Sequence, residues 1–199
     1  MKIISLVFCF CILISAGVAQ ADVVSMVGDN DCFGLGGTCP DGSRFVTDLG
    51  GTFFQSYQGP GDGPYTDLWN DFGSVTFNHA YSLPGGISAA TLVIRIAGIH
   101  DINQTQIYDV SFDGTVIGDI PVNYDAYNYQ EVLTYTWNVP TNLLTGNDTV
   151  SWSGTGTDGY IIDFSELKIQ ASGMPEPGTL ILLGSGLAGM FGLRRRINR

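Results

Sequence analysis

The chain has 199 residues, 44% of them hydrophobic and 14% charged, with 27 glycines; that composition favours turns over long helices, leaves one domain of ordinary size between two targeting-like ends and excludes a disordered chain. The formal net charge is −11, and outside Lys2 and a C-terminal arginine cluster the only basic residues are Arg44, Arg95 and Lys168. No nucleic-acid partner is expected, because phosphate contact needs a basic surface, and divalent cations become the natural partners.

In chain order, Lys2 supplies a positive charge, Ile3 to Ile14 an apolar run and Ala19-Gln20-Ala21 a small-x-small cleavage site. This is the pattern of a secretory signal peptide over residues 1–21, a helix removed before a mature start at Asp22. Cys9 has no small residue before it, as a lipoprotein signal would require. With Cys9 and Cys11 gone, Cys32 and Cys39 bracket Phe33-Gly34-Leu35-Gly36-Gly37-Thr38. An oxidising compartment would join them in a local disulfide that contributes on the order of 2 to 3 kcal/mol. Zinc is the rival, but it needs two more ligands, and His79 and His100 are distant in sequence.

Residues 22–173 read as β throughout. The runs at 52–57, 74–78, 90–96, 107–112, 132–137, 149–152 and 160–169 are β-branched or aromatic. Pro84-Gly85-Gly86, Asp113-Gly114, Gly146-Asn147-Asp148 and Asp158-Gly159 separate them as turns. Leu92, Ile94 and Ile96 alternate with Val93 and Arg95, as a half-buried strand requires. Asp113-Gly114 predicts a tight hairpin, and Leu143-Leu144 a short helical turn. Many short strands without an amphipathic helix predict an all-β, antiparallel β-sandwich.

Candidate sites are few. Asp29-Asn30-Asp31 precedes the glycine loop, and Asp158, Asp163 and Glu166 lie on or beside the last strand; solvated turn carboxylates and a metal site are both open readings. Tyr124, Tyr127 and Tyr129 cluster in a predicted loop, and Trp69 lies among polar residues. These rings could stack on sugars or cap the edges of the sandwich, whereas Trp137 and Trp152, inside strands, read as core. No catalytic residue is assigned: His79 and His100 lack a nucleophile setting and read as surface or hydrogen-bonded strand residues. Gly154-Thr155-Gly156-Thr157-Asp158-Gly159 spells G-x-G-x-x-G but has no helix after it, so it reads as a loop. Paired carboxylates keep a secreted glycan-active enzyme as the rival class.

The C-terminal segment, 174–199, has three parts. Pro175-Glu176-Pro177 stiffens an extended backbone; Leu180 to Leu193 carries no charge; Arg194-Arg195-Arg196-Ile197-Asn198-Arg199 ends the chain. An apolar span before a basic cluster is a stop-transfer pattern that keeps the arginines cytoplasmic. From Thr179 to Leu193 the helix would be roughly 22 Å long against a hydrocarbon core near 30 Å, a marginal transmembrane helix suited to a transient anchor in the inner membrane.

The order Pro175-Glu176-Pro177, short Leu/Gly-rich segment and Arg194-Arg195-Arg196 closely resembles the PEP-CTERM sorting signal of Gram-negative bacteria. That resemblance implies recognition by an exosortase and delivery to the cell surface or an exopolysaccharide matrix of the kind found in biofilms. The second half, with Ser111-Phe112-Asp113-Gly114 and the stretch Asp158 to Leu167, also resembles the jelly-roll, galactose-binding-like domains of such proteins. It implies a jelly-roll sandwich, a non-enzymatic binding module for extracellular polysaccharide and a structural calcium joining the N-terminal loop to the closing strand, for which Asp29, Asp31 and Asp163 are the candidates. Asp29-Asn30-Asp31 matches the first spacings of an EF-hand loop, but its twelfth position holds no Glu.

Overall fold

The computed structural model describes residues 21–53, 55–70, 73–97, 108–120, 131–154, 159–172 and 184–186. The signal peptide, nearly all of the C-terminal segment with its sorting motif, His100 and Tyr124, Tyr127 and Tyr129 lie outside them. Among the described residues no helix is long and apolar enough to cross a membrane.

Eight strands form the domain: β1 (Val23–Gly28), β2 (Gly73–Ala80), β3 (Ile87–Ala97), β4 (Tyr108–Phe112), β5 (Thr115–Ile120), β6 (Val132–Asn138), β7 (Asn147–Gly154) and β8 (Ile161–Ala171). They make two four-stranded sheets, ordered β1-β8-β3-β6 and β2-β7-β4-β5, and every pairing between strands is antiparallel. This is the strand order of a jelly roll. The expected Asp113-Gly114 hairpin joins β4 to β5 with both residues left-handed, φ 46° and 74°, the backbone that a two-residue primed turn needs. A 3-10 turn at Thr141–Leu143 marks the expected helical break.

Alternation decides what lies between the sheets. Leu92, Ile94 and Ile96 of β3 are buried against Val75 and Phe77 of β2 and Val150 and Trp152 of β7, and each such side chain contributes about 1.5 to 3 kcal/mol by leaving water. Trp137 also points inward, half-buried, over Gly118 and stacked on Tyr135 at 5.9 Å.

One expectation needs correction. Among the described residues of 52–57 no strand forms: Ser56 makes one isolated bridge to Leu68. Two of their aromatics make ring contacts instead, Tyr57 on Phe45 at 6.4 Å and Phe53 on Trp69 at 4.8 Å. Of the two readings of His79, the structure takes the hydrogen-bonded strand residue: it lies in β2, wholly buried, with Nε2 3.0 Å from Ser165 Oγ and Nδ1 3.2 Å from the Ser25 carbonyl. The strand β1, absent from the sequence reading, pairs along β8 from Val23↔Ile169 to Gly28↔Phe164.

A second, smaller core sits on the outer face of the first sheet. Ala97, Val132 and Ile161, at one end of β3, β6 and β8, are covered by Cys32, Phe33, Cys39 and Phe45 from the long β1–β2 connection. Thus that connection is a packed layer, not a solvated loop. It lies at the end of the sandwich where β1, β3, β5 and β7 finish and β2, β4, β6 and β8 begin. The chain enters β1 and leaves β8 at the opposite end, where Asp22 Oδ1 accepts the Ala171 amide at 2.9 Å.

Candidate metal centre at the loop end of the sandwich

A β-bulge aims the first ligand. Along β8, Phe164 pairs with Arg95 and Ile162 with Ile96, so Asp163 is the extra residue between them. Bulges bend the strand and redirect a side chain. Here the wholly buried Asp163 carboxylate turns under the N-terminal loop, accepting the Phe33 amide on Oδ1 at 2.6 Å and lying 3.4 Å from Arg95 Nη1 through Oδ2. Cys32, Phe33 and Gly34 are all left-handed, with φ of 68°, 57° and 75°. Successive amides in such a backbone face inward as an anion-binding concavity, and Gly34 donates to Asp31 Oδ1 at 2.7 Å.

The β1–β2 connection delivers two further carboxylates that the sequence reading did not single out. Asp67 is clamped through its backbone: its amide donates to the Ile162 carbonyl and its carbonyl accepts the Tyr57 amide, each at 2.8 Å. Its φ of 52° is left-handed, a conformation uncommon for a residue with a Cβ. Asp62 sits in the turn Gly59-Pro60-Gly61-Asp62-Gly63 and accepts the Gly59 amide on Oδ2. Close approach of β1 to this connection depends on Gly28, φ 81°, where a Cβ would stand 2.5 Å from the Asp163 carbonyl and 2.6 Å from Thr66 Cγ2.

The result is a pile of carboxylates. Asp31, Asp67 and Asp163 offer oxygens within 4.8 Å of one another, and so do Asp29, Asp62 and Asp67. Asp67 is wholly buried, yet neither of its oxygens meets a donor, and Asp29 Oδ1 is buried in the same condition. Burial, then the charges of Asp62, Asp31 and Asp163, push the Asp67 carboxyl up to about 9. Burial likewise pushes Asp163 up to about 6, against the opposing pull of the Phe33 amide and Arg95, and raises Asp29, with Asp31 and Asp62 adding to the effect. A buried carboxylate without a donor requires a proton or a cation. An all-oxygen donor set without thiol or imidazole is the chemistry of a hard cation such as calcium.

Of the expected Asp29, Asp31 and Asp163, the last two share a group with Asp67, while Asp29 stands in the other group with Asp62 and Asp67, and their neighbours are placed differently. Asn30 Oδ1 accepts a hydrogen bond from Arg95 Nη1 at 2.6 Å. Glu166 stands apart, paired with Lys168 at 2.6 Å, and Asp158 lies outside the described residues. Arg95 is further held by Thr134 Oγ1 at 3.2 Å and by the Phe164 ring at 5.2 Å. Cys32 and Cys39 stand as two buried, free thiols hydrogen-bonded to each other in the second core, with burial raising both. Trp69 is half-buried beside Phe53, its indole over Gly159.

A second feature lies on the outer face of the sheet β2-β7-β4-β5. Thr76, Ser151, Ser111 and Val116 pair across the four strands in one row. Together with Ser74, Asp109 and the buried Trp152 they line an open trough of about 310 Å³. It contains hydroxyls and a carboxylate, and no basic side chain lines it.

Comparison with known proteins bears on the two ends of the molecule differently. No curated protein matches the chain. Among solved structures, the CBM36-1 domain of a multidomain xylanase from the hindgut metagenome of Trinervitermes trinervoides is similar at 14% identity, TM-score 0.35, over 77% of this chain and 99% of that one. A family 35 carbohydrate binding module from Clostridium thermocellum is similar at 11% identity, TM-score 0.32, over 75% and 95%. BuGH86 in complex with neoagarooctaose is similar at 16% identity, TM-score 0.39, over 53% of this chain and only 18% of its own. These are distant likenesses of architecture. Residues 175–196 match the family described as the PEP-CTERM protein-sorting motif, which implies export and a membrane-anchored sorting step; the chain is an antiparallel jelly-roll sandwich that carries this motif at its C-terminal end.

Proposed function

We propose that the protein is exported through the inner membrane, held transiently by its C-terminal segment, and released by an exosortase to the cell surface or extracellular matrix, where the sandwich acts as a non-enzymatic, calcium-stabilised module that binds polysaccharide. The sorting motif at 175–196 carries the first half of this reading. The segment follows the end of β8 that is opposite the acidic cluster.

The trough on the outer sheet supports the second half. Polyhydroxylated ligands are recognised by placed donors and acceptors. Ser74, Thr76, Ser111 and Ser151 offer hydroxyls that act as either, and the exposed Asp109 accepts from sugar hydroxyls. The sequence after β5 carries Tyr124, Tyr127 and Tyr129. Those tyrosines are the residues to supply stacking, with Trp69 as the other candidate.

Calcium fits the acidic cluster through the orphan oxygens of Asp67. Asp31, Asp67 and Asp163 would hold it, and its contribution is to tie the β1–β2 connection to β8. Cys32 and Cys39 would close as a disulfide behind the same loop after export.

The test is binding of the chain to a panel of neutral and acidic bacterial exopolysaccharides. Wild type should bind at least one, and Asp109→Ala and Ser151→Trp should weaken it tenfold or more. Absence of binding across the panel defeats the module reading, and chain shortening of a bound polysaccharide replaces it with the enzyme. For the metal, a chelator should lower the melting temperature and Asp163→Ala should remove that response; an unchanged melt in chelator defeats the calcium reading.

A further inference from the structure

One ion leaves the acidic cluster unbalanced. The two carboxylate groups, Asp31-Asp67-Asp163 and Asp29-Asp62-Asp67, share a single member. A cation in the first group would leave Asp29 Oδ1 buried without a donor. Charge gives the same answer: against these five carboxylates the adjacent cation is Arg95, on Asp163. Four negative charges remain in a half-buried site, one divalent ion leaves two of them, and two ions neutralise it.

From this juxtaposition we propose that the site is dinuclear, with Asp67 bridging two calcium ions, Asp31 and Asp163 holding the inner one and Asp29 and Asp62 the outer one. The inference rests on the calcium reading above. Asp67 suits the role because it is fixed at both its amide and its carbonyl, at 2.8 Å each, and because both of its oxygens are free of donors. A carboxylate with one oxygen already accepting a backbone N–H has fewer lone pairs left for a second ion. Asp31 and Asp163 each commit Oδ1 to a backbone amide, and Asp62 commits Oδ2 to Gly59, so they are terminal ligands. Asp29 and Asp62 are only partly buried, so water can complete the outer shell. The two ions would also join three segments that are otherwise far apart in sequence: the loop after β1, the 59–67 turn and the bulge of β8.

Stoichiometry decides it. The full chain, loaded with calcium and freed of excess by gel filtration, is measured by elemental mass spectrometry. Two calcium ions per chain are expected, falling to one in Asp62→Asn and in Asp29→Asn and to none in Asp67→Asn. The first two variants change partly exposed groups, so the test stands even where Asp67→Asn fails to fold. One ion in the wild type overturns the dinuclear site and leaves the single-ion reading intact. No ion overturns both, and two ions retained in Asp62→Asn overturn the assignment of the outer site.

Discussion

Lowering the pH from 7 to 4 will destabilise the sandwich through His79. The imidazole is wholly buried between β2 and the β1–β8 pair, hydrogen-bonded to Ser165 and Ser25, and Asp148 is its cross-strand partner. Burial lowers its pKa from 6.5 to about 4, with the Ser25 carbonyl and Asp148 opposing the shift. Above pH 6.5 the ring is neutral in both folded and unfolded chains, so stability is complete there. Between 6.5 and 4 only the unfolded chain takes up the proton, and stability is lost over that window. At about 1.4 kcal/mol per pH unit the loss comes to about 3 kcal/mol, a large fraction of the 5 to 15 kcal/mol typical of a domain. Urea denaturation of wild type and His79→Gln at pH 7, 5.5 and 4 measures it. The variant starts about 1 kcal/mol lower for its weakened hydrogen bonds, and its stability should fall less with acid by about 3 kcal/mol. Parallel loss in the two proteins would refute the reasoning.

Gly28→Ala should cost more than the same change at Gly114. Both glycines are left-handed, but only at Gly28 does a Cβ strike the Asp163 carbonyl, while at Gly114 it meets open space. Left-handed backbone alone costs about 1 to 2 kcal/mol, so denaturation should show that loss for Gly114→Ala and a larger one for Gly28→Ala, and equal losses would sink the close-approach argument. Protein recovered from the periplasm should resist alkylation at Cys32 and Cys39 until reduced, and reduction should lower its stability by about 2 to 3 kcal/mol. Full labelling of both thiols without reductant would show that the disulfide does not form.

Alternation made most of the strands legible, because along most of their length one face is buried and the other is not. Leu92, Ile94 and Ile96 show that period openly. β1 lacks that signature although Val23 and Val27 are turned toward the core, because the exposed Val24 and Met26 make its other face apolar too. Residues 52–57 misled in the opposite direction. Their aromatic content matches a strand, yet those rings join the second core on the outer face of the sheet, a surface that local pattern does not reveal.

Sequence by itself determined the sorting motif, the antiparallel sandwich and the Asp113-Gly114 hairpin, since each depends on residues adjacent in the chain. Tertiary structure alone decided that Asp62 and Asp67 join Asp29, Asp31 and Asp163. A carboxylate's environment is set by what folds over it, and here that is a bulge in the last strand and a backbone clamp on Asp67, neither of which has a local sequence signature.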